Sequence, residues 1–65
     1  MKVTYDPATD TLRVIFGHSA IDESDEEKPG IIIDYDKDGN VVGLEIMDAS
    51  KRMDNPRSVE YAVAG

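Results

Sequence analysis

Residues 35–46 read Tyr35-Asp36-Lys37-Asp38-Gly39-Asn40-Val41-Val42-Gly43-Leu44-Glu45-Ile46, and their pattern already occurs thirty positions earlier. The earlier copy is Tyr5-Asp6-Pro7-Ala8-Thr9-Asp10-Thr11-Leu12-Arg13-Val14-Ile15-Phe16. The Tyr-Asp pair recurs, an Asn follows where an Asp stood, and apolar residues recur at the last three alternate positions. A solenoid needs about three or more repeats, so two copies predict two similar hairpins in one sheet.

Each copy has the pattern of a β-hairpin. In the first, residues 2–5 and 11–16 flank a turn in which Pro7 presets φ and Asp6 can accept bonds from backbone amides. In the second, residues 31–35 and 41–47 flank a turn in which Gly39 can adopt a positive φ. Hairpin 1 is therefore placed at 2–16 and hairpin 2 at 31–47. The predicted core stripe comprises Leu12, Val14, Phe16, Ile31, Ile33, Val42, Leu44 and Ile46.

The segment between the hairpins, residues 17–30, is strongly acidic. Its acids are Asp22, Glu23, Asp25, Glu26 and Glu27. It shows no apolar periodicity, Ile21 is its one apolar anchor, and it leaves through Pro29-Gly30. These features favour a loop, and we expect it to be the most mobile interior region.

The pattern changes after Met47. A short helix is predicted near residues 49–53, with Asp48 as its N-cap and Lys51 and Arg52 near its C-terminal end. Residues 58–63 then alternate polar or small with apolar side chains, which favours a strand. The alternative is a helix capped by Asn55. A terminal strand could pair with an open sheet edge of its own chain or of a second copy.

The predicted fold class follows from these elements. The chain is α+β, mainly β: an antiparallel meander of two duplicated hairpins, one short helix and a C-terminal strand. Residues 1–65 form a single domain, with hairpin 1 at 2–16, the acidic loop at 17–30, hairpin 2 at 31–47, and the helix and terminal strand at 48–65.

Residues Asp34 to Glu45 also fit the calcium-loop pattern D-x-[DN]-x-[DN]-G-x5-E. An EF-hand loop follows a helix, but this one follows Pro29-Gly30 and three isoleucines. Its ninth position is Val42, which carries no side-chain oxygen. We therefore interpret the segment as a hairpin turn and assign no metal ligand. The alternative is a carboxylate-based metal-binding protein or enzyme using Asp34, Asp36, Asp38 and Glu45.

Composition limits the chemistry. The 65 residues include no cysteine and one histidine, and the formal net charge is −7. A disulfide, a thiolate zinc site and a thiol nucleophile are therefore excluded. Net negative charge disfavours nucleic acid, and no stretch predicts a membrane span or a signal peptide. We expect a cytoplasmic protein with no cofactor. His18 is interpreted as an exposed loop residue, so no catalytic residue is assigned.

Several segments together resemble a known family. They are Tyr5-Asp6, residues 30–36, residues 39–46 and Asp48-Ala49-Ser50-Lys51-Arg52. In combination they are similar to the small prokaryotic family catalogued as domain of unknown function 2283. The resemblance covers Met1 to about Met53. It implies a small β-rich domain of bacterial or archaeal origin, and it implies no activity and no catalytic residues.

The expected function is that of a non-enzymatic interaction module. A core built from about 65 residues, without a disulfide or a structural metal, gives only marginal stability, so self-association or a partner is expected. The partners considered are a second copy, as a homodimer, or a basic protein, in an antitoxin-like role by analogy. The carboxylate-based metal protein remains the second hypothesis.

Overall fold

A computed structural model describes all 65 residues, which form one five-stranded antiparallel sheet and one short helix. The strands are β1 (Lys2–Asp6), β2 (Thr11–Ile15), β3 (Glu23–Lys28), β4 (Ile31–Tyr35) and β5 (Val41–Ile46), and the helix is α1 (Ala49–Arg52). The strand order is β1-β2-β5-β4-β3. The mainly β fold class is thus confirmed, and both predicted hairpins form.

The two hairpins meet through their second strands. In the β2–β5 pairing, Val14 lies opposite Leu44 and Leu12 lies opposite Ile46. Since Val14 and Leu44 are also equivalent in the sequence repeat, a pseudo-twofold axis passes between them. The sheet therefore differs from a simple meander, in which β2 would pair with β4. The pairing places the apolar stripes of the two copies side by side in register.

One face of the sheet is apolar. Its side chains lie in two rows across the strands. The first row is Val3, Val14, Leu44 and Ile33, and the second is Tyr5, Leu12, Ile46 and Ile31. We call these eight residues the apolar face. The opposite, polar face carries Lys2, Thr4, Asp6, Thr11, Arg13, Ile15, Gly43, Glu45, Ile32 and Asp34.

The acidic segment is not a loop throughout, because residues Glu23–Lys28 form β3 along the outer edge of β4. Strand pairing uses backbone groups, so a segment with every side chain exposed can still complete a sheet edge. Two side-chain bonds support the pairing: Ser24 Oγ donates to Asp34 Oδ1 at 2.6 Å, and Tyr35 Oη donates to Glu27 Oε1 at 3.0 Å.

The predicted terminal strand is absent from the single chain. Residues 58–63 are neither strand nor helix. Instead of capping a helix, Asn55 holds a turn, in which its Oδ1 accepts a bond from the Arg57 amide at 3.0 Å. No sheet edge of this chain pairs with the segment. Alternation alone therefore did not make it a strand, since a strand also needs a partner.

The helix begins where predicted but is capped differently. Asp48 is the N-cap residue at φ 53°, yet its side chain makes no capping bond. Asp10, in the turn of hairpin 1, supplies both caps. Its carbonyl accepts from the Ala49 amide at 2.9 Å, and its carboxylate accepts from the Ser50 amide at 3.0 Å. The turn thereby fixes the helix to the sheet, and Ala49 becomes fully buried.

Gly43 provides the room for a buried carboxyl group. Asp34, only 2% exposed, lies opposite Gly43 on the polar face. A Cβ at Gly43 would come within 2.9 Å of the Val14 carbonyl oxygen and 3.2 Å of Asp34 Oδ2. A side chain at this position therefore has to displace both the β2 backbone and Asp34.

We predict that Gly43→Ala lowers the free energy of unfolding by about 1–3 kcal/mol, because overpacking against backbone cannot be relieved by a side-chain rotation. Chemical denaturation would measure it. Gly17→Ala is the control, since a Cβ there meets nothing within 4 Å. Equal effects of the two substitutions would contradict the packing argument.

Candidate interaction surface

The four carboxylates of the calcium-like pattern are separated by the hairpin. Asp34 is buried beside Ser24, whereas Glu45 lies in β5 opposite Arg13. Asp36 and Asp38 lie in the turn between β4 and β5. No three His, Cys, Asp or Glu side chains lie close enough to hold a metal ion.

Asp36 is engaged by its own turn. Its Oδ1 accepts from the Asp38 and Asn40 amides, both at 2.9 Å. The bond from the Asn40 amide is the main reason why the pKa of Asp36 lies below its ordinary value. In the first hairpin, Asp6 Oδ1 accepts from the Ala8 amide at 2.9 Å in the same way. The repeated aspartate is thus a turn-forming residue in both copies.

A second cluster joins hairpin 1 to the helix. Asp10 Oδ2 accepts from Ser50 Oγ at 2.6 Å, and Asp10 Oδ1 accepts from Tyr5 Oη at 2.7 Å. The Ser50 hydroxyl is the main cause that lowers the pKa of Asp10, and the bond to Asp10 is the main cause that raises the pKa of Tyr5. Every carboxylate oxygen of Asp10 is engaged, so the cluster is a structural anchor.

The apolar face is only partly covered, and Val3 is its one exposed member. Of the predicted core, only Val42 is buried; the other members are half-buried, except Phe16, which is 43% exposed. Helix α1 has a single buried residue and covers little of the sheet. The C-terminal residues Pro56, Arg57 and Val59 border a groove over Val3 and Tyr5, and the Arg57 guanidinium lies 5.6 Å from the Tyr5 ring centre.

The two edges of the sheet differ in charge. β3 forms one edge, and all six of its residues are exposed; four of them are acidic. It also contains a register shift between Glu26 and Lys28. Acidic side chains and bulges are devices that hinder an edge from pairing further. The opposite edge, β1, carries Lys2, Val3, Thr4, Tyr5 and Asp6, so its charges balance.

The sequence predicted some of these surface features and not others. The sequence located the turn aspartates Asp6 and Asp36, and it placed His18 outside the strands, where it is exposed. It missed the anchoring role of Asp10 and the Ser24–Asp34 bond. The signal available for Asp10 was its match to Asn40 in the repeat, since both types tolerate special turn geometry. No sequence signal marked Ser24.

The fold and surface define a small, mainly β protein whose single sheet has one partly covered apolar face. The chain belongs to the family described as protein of unknown function (DUF2283), whose model matches residues 2–50. The match includes the whole sheet and the Asp10–Ser50 anchor, and it ends before the tail.

An uncharacterized protein of Methanocaldococcus jannaschii is 37% identical over 51 residues, which is 78% of this chain. The chain spans 43% of that relative's length. No solved structure matches the chain. The one helix is far too short to cross a bilayer.

For the calcium-like segment, we predict no tight calcium binding, because Asp34 is buried, Asp36 is engaged by its own turn, and Glu45 lies in β5 opposite Arg13. Isothermal titration with calcium should show no site in the range of about 10⁻⁷ to 10⁻⁵ M that sensor loops occupy. Asp36→Ala should lower the melting temperature whether or not calcium is present. A micromolar site that this substitution abolishes would contradict the turn interpretation.

Stability should fall on acidification, and Asp10 should carry part of that loss. Its pKa is lowered from the ordinary value of 3.8 on folding. The anchor therefore stabilises the fold fully above the unfolded pKa, and the stabilisation is lost as pH falls below about 4 through the folded pKa.

Melting temperatures of the parent chain and of Asp10→Asn, measured from about pH 6 to pH 2, would test this. We expect the variant to be less stable at neutral pH and the difference to shrink in acid. Asp54→Asn is the control, since Asp54 is exposed and makes no side-chain hydrogen bond. A difference between the parent chain and Asp10→Asn that does not vary with pH would contradict the prediction.

Proposed function

We propose that this protein is a small acidic, non-enzymatic interaction module that works in the cytoplasm as a homodimer. The observation that carries the proposal is the half-covered apolar face. A sheet with an apolar face is stable in water only when another layer covers that face. Here the covering layer is a four-residue helix and a short stretch of tail.

The dimensions of the molecule support this proposal. The thinnest extent is 18 Å, and only 4 of 65 residues are buried. Packed layers lie about 10 Å apart, so this thickness leaves room for one sheet and a partial cover. The chain thus has most of one layer and little of a second.

The exposed area leads to the same proposal. The surface measures 4970 Å², whereas a folded monomer of 7.2 kDa exposes about 4100 Å² by the usual size scaling. The surplus is close to the roughly 800 Å² that each partner buries in a standard interface. Part of it comes from the tail, where Val59, Tyr61 and Val63 are 62–79% exposed. Burying these apolar side chains against a partner is favourable.

A basic protein is the second partner that the surface suits. The acids of β3 project on both faces of an edge strand. The hydrogen bond to Glu27 is the main cause that raises the pKa of Tyr35, burial comes next, and the charges of Glu27, Asp25 and Glu23 raise it further. Such a row attracts a basic chain and speeds its encounter. An antitoxin-like role is compatible with this charge and size, by analogy alone.

Sedimentation equilibrium across micromolar concentrations is the test of self-association. We expect a species of twice the 7.2 kDa chain mass. Thermal stability should also rise with protein concentration, because association that is specific to the folded state stabilises it by mass action. A single 7.2 kDa species whose melting temperature is independent of concentration would contradict the proposal.

A further inference from the structure

The outer edge of β1 is an open strand edge. β1 pairs only with β2, and none of the backbone hydrogen bonds outside the regular pairings involves Lys2–Asp6. Its outward amide and carbonyl groups therefore have no backbone partner within the chain. The pseudo-twofold axis makes this edge equivalent to the outer edge of β4, which β3 occupies. β3 therefore fills the outer edge of β4, and the equivalent edge of β1 is free.

The sequence of β1 is complementary to itself. When two copies run antiparallel with Thr4 opposite Thr4, Lys2 lies opposite Asp6 and Val3 lies opposite Tyr5, each twice. Opposite charges and aromatic–β-branched neighbours are the pairs that stabilise adjacent strands, and threonines opposite each other can share a hydrogen bond. Thr4 is the repeat equivalent of Asp34, which already bonds the hydroxyl of Ser24 across the β4–β3 pairing.

The other edge lacks this property. A second copy of β3 placed antiparallel and centred on Asp25 would set Glu23 opposite Glu27, and Asp25 opposite its own copy. Like charges directly opposite are destabilising. Self-pairing is thus open to β1 and opposed at β3. A symmetric dimer needs one self-complementary patch, and β1 supplies it.

The geometry points to a second copy of this chain as the occupant of the β1 edge. The two β1 strands pair antiparallel about Thr4 and join two sheets into one sheet of ten strands. The two rows of the apolar face then continue across the junction, because Val3 ends one row and Tyr5 ends the other. This inference rests on the proposed self-association and specifies the edge at which the two chains meet. The cover of the apolar face itself still comes from the helix and the tail of each chain.

In this arrangement the tail lies beside the second copy. Val59 borders the same groove as Val3 and Tyr5, at the side of the sheet where the second copy joins. Each tail thus lies beside the junction, where the β1 residues of both copies meet. Val59, which is 62% exposed in the single chain, acquires a neighbouring surface there.

Charge reversal tests the pairing. In Lys2→Asp, the new carboxylate lies opposite Asp6 twice in the dimer; in Asp6→Lys, the new ammonium lies opposite Lys2 twice. We expect each variant alone to dissociate about tenfold or more readily than the parent chain. An equimolar mixture should form a heterodimer near parental affinity, because both opposite-charge pairs return. Lys28→Asp, with the same charge change at the β3 edge, should leave the dimer intact.

The possible results distinguish a wrong interface from the absence of self-association. Circular dichroism must first show that both β1 variants are folded, because Asp6 also accepts a turn bond from the Ala8 amide. If the parent chain dimerises but the two folded variants dimerise equally well, or do not recover on mixing, the β1 interface is wrong while self-association stands. If the dimer instead disappears when the chain ends at Asn55 and is unaffected by the β1 charges, exchange of the tail replaces this inference. A parent chain that is monomeric overturns the proposed function and the interface together.

Discussion

The antiparallel pairing of β2 with β5, in the register that sets Val14 opposite Leu44, is the constraint on which the rest of the structure depends. It joins two copies of one hairpin about a pseudo-twofold axis and aligns their apolar rows. A slip of one residue would turn one stripe toward the polar face. The equivalence of the two copies then makes the filled edge of β4 and the free edge of β1 comparable positions.

The two hairpin repeats differ where each contacts other parts of the chain. The first turn carries Asp10 at φ 53°, whose carbonyl and carboxylate cap the helix. The second turn has Gly39 with a positive φ and closes on itself through Asp36. Likewise, Asp34 bonds Ser24 of β3, whereas its repeat equivalent Thr4 lies on an open edge. Each difference depends on whether the helix or β3 lies beside that hairpin.

The parts that sequence could predict are those encoded by local pattern. Alternating apolar residues and the turn residues Pro7, Asp36 and Gly39 located both hairpins and the helix start. The strand β3 could not be predicted, because its residues are all exposed and its pairing depends on the backbone of β4. The segment 58–63, by contrast, alternates like a strand but has no strand to pair with in the chain. Strand order was missed for a similar reason, since symmetric pairing is a tertiary property.

The central claim is that a second copy completes the sheet at β1, and amide hydrogen exchange along Lys2–Asp6 tests it most directly. In a lone edge strand, only the amides that face β2 are protected, so alternate residues exchange quickly. We expect those fast amides to become protected as the protein concentration rises through the dimerisation range. Alternate amides of β1 that stay unprotected at concentrations where the protein is dimeric would contradict the account.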